Sequence, residues 1–584
     1  MFIIMTNVDV THHLSCPGRS ENPAQATAQA GATLRGLRAE SAESAESAVS
    51  AMSAWFRRLH ALLALVLAGA MGVLAGCAAL PPPVPREPTH ALPASAADPL
   101  GRIAAQSLPA AALAHGTSGF RALPLSAFAM DARLVLAQQA RTSLDLQYYL
   151  LQNDVTGHAL VRALRDAAQR GVRVRLLVDD LYTADNDKML QALAAHPNVE
   201  LRLFNPFPAG RAYALTRWLF ALGDFARVNH RMHNKLFIAD GAFAIAGGRN
   251  IADEYFFTSK GGNFVDFDLL VIGAAVPHLA AVFDNYWNSP RILPLHAIDP
   301  PRQAPQALRE EFERLTADAV GAYPPPPAAP DLLGYLPLSA DLQHAVPLKL
   351  LFGAIEVFAD DPEKVSGRSE SGTDATTVTA RVGRAMAEAQ REVVVGSPYF
   401  IPGKPGMEGL RRARENGVRV AVITNSLASN DEPFASAAYG RYRLPMLKLG
   451  AELYETDSSQ LKHDKLFGAA LGASVGRSHS KLIVIDRRTT FVGSMNMDFR
   501  SSRVNTELGL LVDSPELAKN VLDLAERVRD VGSYRLRLDP SGEHVQWVST
   551  VGGFETVYDD EPGVDFATRL KLLLLFPFIA ESLL

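Results

Sequence analysis

The sequence predicts an α/β protein with mixed sheets, built from two like domains in a pseudo-two-fold arrangement, each a central sheet flanked by helices. Three observations predict it. Strand-like runs alternate with amphipathic, helix-length segments, an order that produces crossover units and a parallel or mixed sheet. A His-x-Lys-x4-Asp pattern occurs twice, at His233, Lys235 and Asp240 and again at His479, Lys481 and Asp486. The copies keep one offset: Gly171 and Gly417, the two histidines, the two lysines, the two aspartates, and Asn250 and Asn496 are each 246 residues apart. Chance does not readily hold five landmarks at one spacing, so the repeat covers a whole unit and not only a motif.

The length of 584 residues fits more than one hydrophobic core. A formal net charge of -5 argues against a dedicated nucleic-acid binder, which carries a basic surplus. Cys16 and Cys77 are the only cysteines, so a disulfide framework is excluded.

In chain order, residues 1–51 are polar and Ala/Ser/Glu-rich, and read as a non-structural or mis-started extension, with translation expected to begin at Met52. Residues 52–76 hold Arg57, Arg58 and His60, then an apolar run from Ala61 to Val73 and a small-residue end, the make-up of a secretory signal. The run is too short for a comfortable membrane span. Leu74-Ala75-Gly76-Cys77 resembles a bacterial lipobox, which implies lipidation of Cys77; the alternative is an inert buried cysteine. Ala78 in place of an aspartate favours the outer membrane. The expectation is a lipoprotein anchored on the periplasmic face of a Gram-negative-type outer membrane. Residues 77–115, with the proline-rich 81–88, read as an extended tether, and ordinary structure is expected from about residue 100 to 120.

The first domain is placed at 120–320. Its predicted elements are a strand from Ser143 to Leu151, a helix from His158 to Arg170 capped by Asp154 or Thr156, a strand from Val172 to Val178, a helix from Lys188 to Ala195 and a strand from Val199 to Phe204. Residues 321–335, with Pro324 to Pro327, read as a linker. The second domain, 336–584, repeats the order: a helix ending at Gln390, a strand Glu392 to Ser397, a helix Met407 to Asn416, a strand Gly417 to Thr424, a helix Tyr442 to Leu449 and a strand Ala451 to Glu455. Ser366 to Thr376 reads as a mobile loop or polar edge. The apolar run Leu570 to Phe576 reads first as a buried C-terminal element and second as a lipid-facing patch near the cleft.

Each motif reads as a strand, on which residues two apart point the same way. His233 and Lys235 can therefore face one cavity with His479 and Lys481, and Asn250 and Asn496 can complete it. Such a set suits phosphodiester chemistry: one imidazole attacks phosphorus, the other serves as acid and base, and the cations balance phosphoryl charge. No metal or other cofactor is required. Asp266 and Glu507 each stand three positions before a Leu-Leu-Val run and are the candidates to orient the histidine rings. Asp240 and Asp486, at strand ends, are expected to hold turns and neighbouring backbone. His463-Asp464-Lys465 repeats the first spacing but lacks the rest of the pattern and is given no role. Tyr148, Tyr149, Phe204, Phe207 and Phe400 read as core or cleft-wall aromatics.

The duplicated pattern resembles the signature of the phospholipase D superfamily, over roughly Leu123 to Leu584. LDLQYYLLQND, GVRVRLLVDDL, LRLFNPF, FDNYWNS and RYRLPMLKLGAELYE look like the bacterial cardiolipin synthase C type. The resemblance implies His233 as nucleophile and His479 as acid and base, with the order open to reversal. It implies transfer of a phosphatidyl group between glycerophospholipids, with phosphatidylglycerol as acceptor and phosphatidylethanolamine as a usable donor. Hydrolysis to phosphatidic acid, a nuclease or phosphodiesterase of the superfamily, and a non-enzymatic membrane scaffold are the alternatives. The lipobox and tether depart from the usual description of that type. Oligomeric state is not legible.

Overall fold

In the computed structural model the residues described are 80–576 without 83, 112–115, 212, 324–325, 327, 345–346, 367–374, 462–475 and 552, together with 60 and 62. Cys77 and nearly all of the signal segment, three of the four linker prolines, most of the Ser366–Thr376 stretch and the His463-Asp464-Lys465 decoy lie outside the described residues.

The first half contains β1 (Ser118–Leu123), β2 (Ser143–Tyr148), β3 (Arg173–Asp179), β4 (Val199–Phe204), β5 (Leu236–Ala239), β6 (Phe243–Gly247), β7 (Asn263–Val265), β8 (Asp268–Gly273) and β9 (Ile292–Pro294). The second contains β10 (Leu351–Ala359), β11 (Glu392–Gly396), β12 (Arg419–Asn425), β13 (Glu452–Thr456), β14 (Gly476–Ser478), β15 (Leu482–Ile485), β16 (Thr489–Gly493), β17 (Leu508–Asp513), β18 (Ser533–Leu538), β19 (Val545–Val551) and β20 (Phe554–Tyr558).

Pairing in the first half runs β1-β8-β6-β5-β2-β3-β4-β9. In the second it runs β10-β17-β16-β15-β11-β12-β13-β18, extended by β19 and β20. The orders correspond strand for strand. In each, three central strands are parallel and the rest antiparallel, which makes the sheets mixed. β1 and β10 pair antiparallel and join the two into one 18-stranded sheet. A shared core cluster mixes the halves, with Phe120, Leu236 and Leu269 beside Val394, Val484 and Leu510. Burying side chains of this size contributes about 1.5–3 kcal/mol each.

The crossover elements follow from local chemistry. Asp154 caps helix Val155–Gln169 by accepting the Gly157 N–H at 2.8 Å. Gly171 and Gly417 end the equivalent helices at φ of +94° and +77°, a conformation that only glycine adopts without strain. The helix predicted from Tyr442 begins earlier, at Pro433, and runs to Lys448; proline at a first helical position forfeits no hydrogen bond.

Two expectations fail. The segment read as a tether is docked on the first half from Arg86 onward. Arg86 donates to the carbonyls of Ser289 and Ile292. The Thr89 carbonyl accepts from Arg175 at 2.9 Å, its hydroxyl accepts from Trp287 Nε1 at 2.8 Å, and the Ala91 N–H reaches Asp284 at 2.9 Å. A helix follows at Pro99–Ser107, with Leu100 fully buried. Prolines supply no donors, but the residues among them do. The second failure is the C-terminal run: helix Phe566–Leu575 has no buried residue, and Leu573 is 73% exposed. No helix among the described residues is long and apolar enough to cross a membrane.

Candidate active site

The motif residues sit just ahead of the strands predicted to carry them. β5 begins at Leu236 and β15 at Leu482, one residue after each lysine. The histidines lie on extended chain because their backbone is paired across the two halves instead of within the sheet. The His233 N–H donates to the Thr506 carbonyl at 2.8 Å, and the His479 N–H to the Val265 carbonyl at 2.8 Å. Met232 bridges Thr506, and β7 pairs in parallel with β14. Each half thus clips the other's motif to the stretch that carries its own carboxylate.

The carboxylates therefore cross over. Glu507 of the second half holds His233 Nδ1 at 2.9 and 3.1 Å from its two oxygens. Asp266 of the first half holds His479 Nδ1 at 2.6 Å. A carboxylate on Nδ1 fixes the tautomer and leaves Nε2 as the reactive nitrogen. Asp266 and Glu507 were singled out from the sequence; the crossing was not. Lys235 Nζ donates to the His233 carbonyl at 2.7 Å and lies 5.1 Å from the Tyr149 ring centre. Lys481 Nζ donates to the His479 carbonyl at 2.6 Å. All four motif side chains are buried.

The electrostatics show that they share one space. Burial, then Lys235, Lys481 and His479, hold His233 well below the usual imidazole range. Burial and Lys481 also lower His479, against the opposing pull of Asp266. Burial depresses Lys235 strongly, partly offset by Glu507, and brings Lys481 down to about 8. Burial pushes Glu507 up to about 7, with Lys235 opposing. Burial acts the same way on Asp266, but His479, Lys481 and Arg249 outweigh it and leave the carboxyl below its ordinary value. Two desolvated ammonium groups beside two imidazoles make a site suited to an anion.

The remaining motif residues divide. Asp240 and Asp486 do not reach the histidines. Asp240 accepts the N–H groups of Arg141, Thr142 and Ser143 and the Thr142 hydroxyl; Asp486 accepts the N–H groups of Gln390, Arg391 and Glu392. Both occupy left-handed turns, at φ of 51° and 53°, and fasten the motif strand to the start of β2 or β11. As their places at strand ends suggest, they build the site without lining it. Asn250 spends its amide on the Tyr255 hydroxyl at 2.9 Å and its carbonyl on the Leu150 N–H at 3.3 Å. Asn496 keeps a buried Oδ1 with no partner among the described residues.

Several functional residues escaped the sequence reading. Asp179, at the end of β3, accepts the Met232 N–H at 2.9 Å; Asn425, at the end of β12, accepts the Ser478 N–H at 3.1 Å and donates to its carbonyl at 2.8 Å. They stand 246 residues apart, so the repeat offset held the signal. Aromatic walls face each imidazole: Tyr149 edge-on to His233 at 4.9 Å, Tyr255 edge-on to His479 at 5.2 Å, and Phe264 at 4.9 Å. Of the aromatics singled out, Tyr149 is a cleft wall; Tyr148, Phe204, Phe207 and Phe400 are buried away from the two imidazoles.

Comparison with known proteins agrees with this geometry. The family profile described as cardiolipin synthase, PLD-like domain matches residues 134–287 and 382–529, one match around each motif. The chain belongs to the phospholipase D superfamily. It is 35% identical to cardiolipin synthase C of Escherichia coli (strain K12), over 83% of this chain and 100% of that protein. It is 26% identical to cardiolipin synthase 1 of Staphylococcus aureus (strain MRSA252), over 66% of this chain and 62% of that one. Among solved structures, it is similar to phosphatidylserine synthase of Haemophilus influenzae Rd KW20 at 15% identity and a TM-score of 0.47, covering 71% of this chain and 86% of that one. As a phospholipase D superfamily member of this family, the chain is a phospholipid transferase or phosphodiesterase.

Proposed function

We propose that the chain is a phosphatidyltransferase of the cardiolipin synthase type. The observation that carries this reading is the crossed pair of histidine–carboxylate couples beside two lysines in one buried site. The 35% identity to a cardiolipin synthase over that protein's whole length supports the choice of acceptor.

In the first step His233 Nε2 attacks phosphorus of a donor glycerophospholipid. The bond from phosphorus to the headgroup oxygen breaks, and His479 passes its proton to that oxygen. In the second step His479 takes the proton of an incoming hydroxyl, the hydroxyl oxygen attacks phosphorus, and the phosphorus–nitrogen bond breaks. Lys235 and Lys481 hold the phosphoryl oxygens throughout, in a desolvated space where their charge acts at full strength. With phosphatidylethanolamine as donor and the headgroup hydroxyl of phosphatidylglycerol as acceptor, the products are cardiolipin and ethanolamine.

We further propose that the protein works at a membrane surface, anchored through a lipidated Cys77 on the periplasmic side of an outer membrane. Exposed apolar side chains on segments tied to the site residues support a bilayer as the surface it meets. Tyr213 and Leu215 are 70% and 65% exposed, on the segment that Arg211 and Arg217 tie to Asp180, next to Asp179 and so to the His233 strand. In the second half, helix Phe566–Leu575 leads into Phe576, which packs with Ile401, Ala435 and Tyr399, and Tyr399 faces His479 at 6.5 Å.

The test is incubation of purified protein with vesicles of phosphatidylglycerol and phosphatidylethanolamine, with products read by mass spectrometry. Cardiolipin and ethanolamine are expected. Phosphatidic acid as the sole product would replace the transferase reading with a hydrolase.

A further inference from the structure

The two histidine–carboxylate couples are not equivalent, and the difference lies in who else touches the carboxylate. Glu507 carries two hydroxyls in addition to the imidazole. Ser494 Oγ donates to one oxygen, and Ser501 Oγ donates to the other at 2.8 Å. Both hydroxyl oxygens are themselves held, Ser494 by the Leu508 N–H at 3.0 Å and Ser501 by the Asn496 N–H at 3.0 Å, so their single protons are aimed at Glu507. Among the described residues Asp266 receives no hydroxyl, and apart from His479 its carboxylate accepts only the Phe267 N–H, at 2.7 Å.

The repeat shows how the difference is written. At the fixed offset, Gly248 stands where Ser494 does, and Tyr255 where Ser501 does. A Cβ on Gly248 would lie 2.1 Å from Asp266 Oδ1, so no side chain fits there while the carboxylate is in place. Tyr255 turns its hydroxyl to Asn250. Each hydroxyl bond takes up lone-pair density that a carboxylate otherwise offers to an imidazolium. The bond lengths follow: 2.6 Å from Asp266 to His479, against 2.9 and 3.1 Å from Glu507 to His233.

We propose that Ser494 and Ser501 are positioning residues that divide the labour of the two histidines. By donating to Glu507 they oppose the burial that pushes its carboxyl up, weakening the couple's hold on an extra proton and favouring His233 as a neutral nucleophile. The unloaded Asp266 opposes the loss of the His479 proton that burial and Lys481 favour, so His479 holds a proton better than His233 and serves as the acid. The inference rests on the phospholipid-transfer reading above. Burial disfavours the charged form of both rings, and the other charges act on them unequally. Lys235, Lys481, His479 and Arg500 bear on His233 and all disfavour its charged form. Around His479, Lys481 opposes, while Asp266 and Asp431 favour the imidazolium.

The test is the pH profile of kcat/KM for consumption of donor phospholipid in mixed detergent micelles, with transfer and hydrolysis products counted together. It compares wild type with Ser501→Ala, Ser494→Ala and Ser501→Thr. Loss of one hydroxyl to a buried carboxylate should move the acidic limb up by about one pH unit and leave the alkaline limb in place. Ser501→Thr, which keeps the hydroxyl, should restore the wild-type limb. A uniform loss of rate with both limbs fixed, or movement of the alkaline limb alone, would overturn the proposal. A wild type that consumes no phospholipid would overturn the transfer reading and this inference with it, whereas an active wild type with unmoved limbs in the alanine variants would overturn this inference alone.

Discussion

Asp240 and Asp486 hold the same place in the motif, yet replacing them with alanine should have unequal consequences for the fold and small ones for chemistry. Asp240 is fully buried and gathers three backbone N–H groups and one hydroxyl. Of these donors the Ser143 N–H lies on a buried residue, and the Arg141 and Thr142 groups lie on exposed and half-buried residues. A buried donor left unpaired costs about 1–3 kcal/mol, and each wetter bond to a charged acceptor contributes about 1 kcal/mol net. Asp240→Ala should therefore cost about 4–6 kcal/mol, a large part of a domain's stability. Asp486 is half-buried and gathers three N–H groups, so water can enter when it is removed, and Asp486→Ala should cost less, about 3 kcal/mol. The assay is urea unfolding of both variants followed by fluorescence, with activity measured at low temperature where both are folded. Turnover should stay within about tenfold of wild type in each. A stably folded Asp240→Ala with turnover as low as a histidine variant would refute the reasoning, because it would put the carboxylate at the phosphate.

Three other outcomes follow from the geometry. Lys481 sits near a pKa of about 8, so its charge is present below that pH and lost above it; the transfer rate should fall as pH rises through about 8, and a Lys481→Arg variant that retains any activity should show a weaker alkaline fall. Thr89→Val leaves the Trp287 N–H unpaired and should lower stability by about 1–2 kcal/mol, measured by thermal unfolding; no change at all would return residues 86–98 to the status of a free tether. Paired changes Leu573→Asp with Leu574→Asp, or Tyr213→Asp with Leu215→Asp, should reduce turnover on vesicles about tenfold or more while sparing turnover on short-chain lipid dispersed in detergent. Equal loss on both substrates would remove the bilayer from the account of those side chains.

Much of this architecture was legible because duplication prints the same information twice. The offset of 246 residues located both motifs, and β2, β3, β4 and their counterparts followed from period-2 runs bounded by helices. The candidate carboxylates were legible as Asp266 and Glu507 because each precedes a Leu-Leu-Val run. That each serves the other half's histidine was not, since nothing local to a strand reports which chain segment crosses it. That the backbone at His233 pairs with the other half instead of within the sheet was hidden for the same reason: alternation marks extended backbone but not its partner. Ser494 and Ser501 were visible as residues of the second copy, and only the hydroxyl contacts to Glu507 give them a role. The proline-rich segment misled because composition reports what a chain cannot donate, while docking depended on Thr89, Ala91 and the distant Arg175 and Trp287. The C-terminal run misled because six apolar residues state a preference to leave water and do not state what will cover them.

The central claim is that the halves make one site in which His233 carries the phosphatidyl group and His479 moves the proton. It is tested most directly by a phosphatidyl donor whose headgroup is p-nitrophenol, a leaving group that needs no acid. With His479→Ala, rapid mixing, a denaturing quench at neutral pH and peptide mass spectrometry should find the phosphatidyl adduct on His233, accumulated because no base remains to activate the acceptor. With His233→Ala no adduct should form. An adduct on His479 in the His233→Ala protein, or sustained turnover by either variant, would contradict the account.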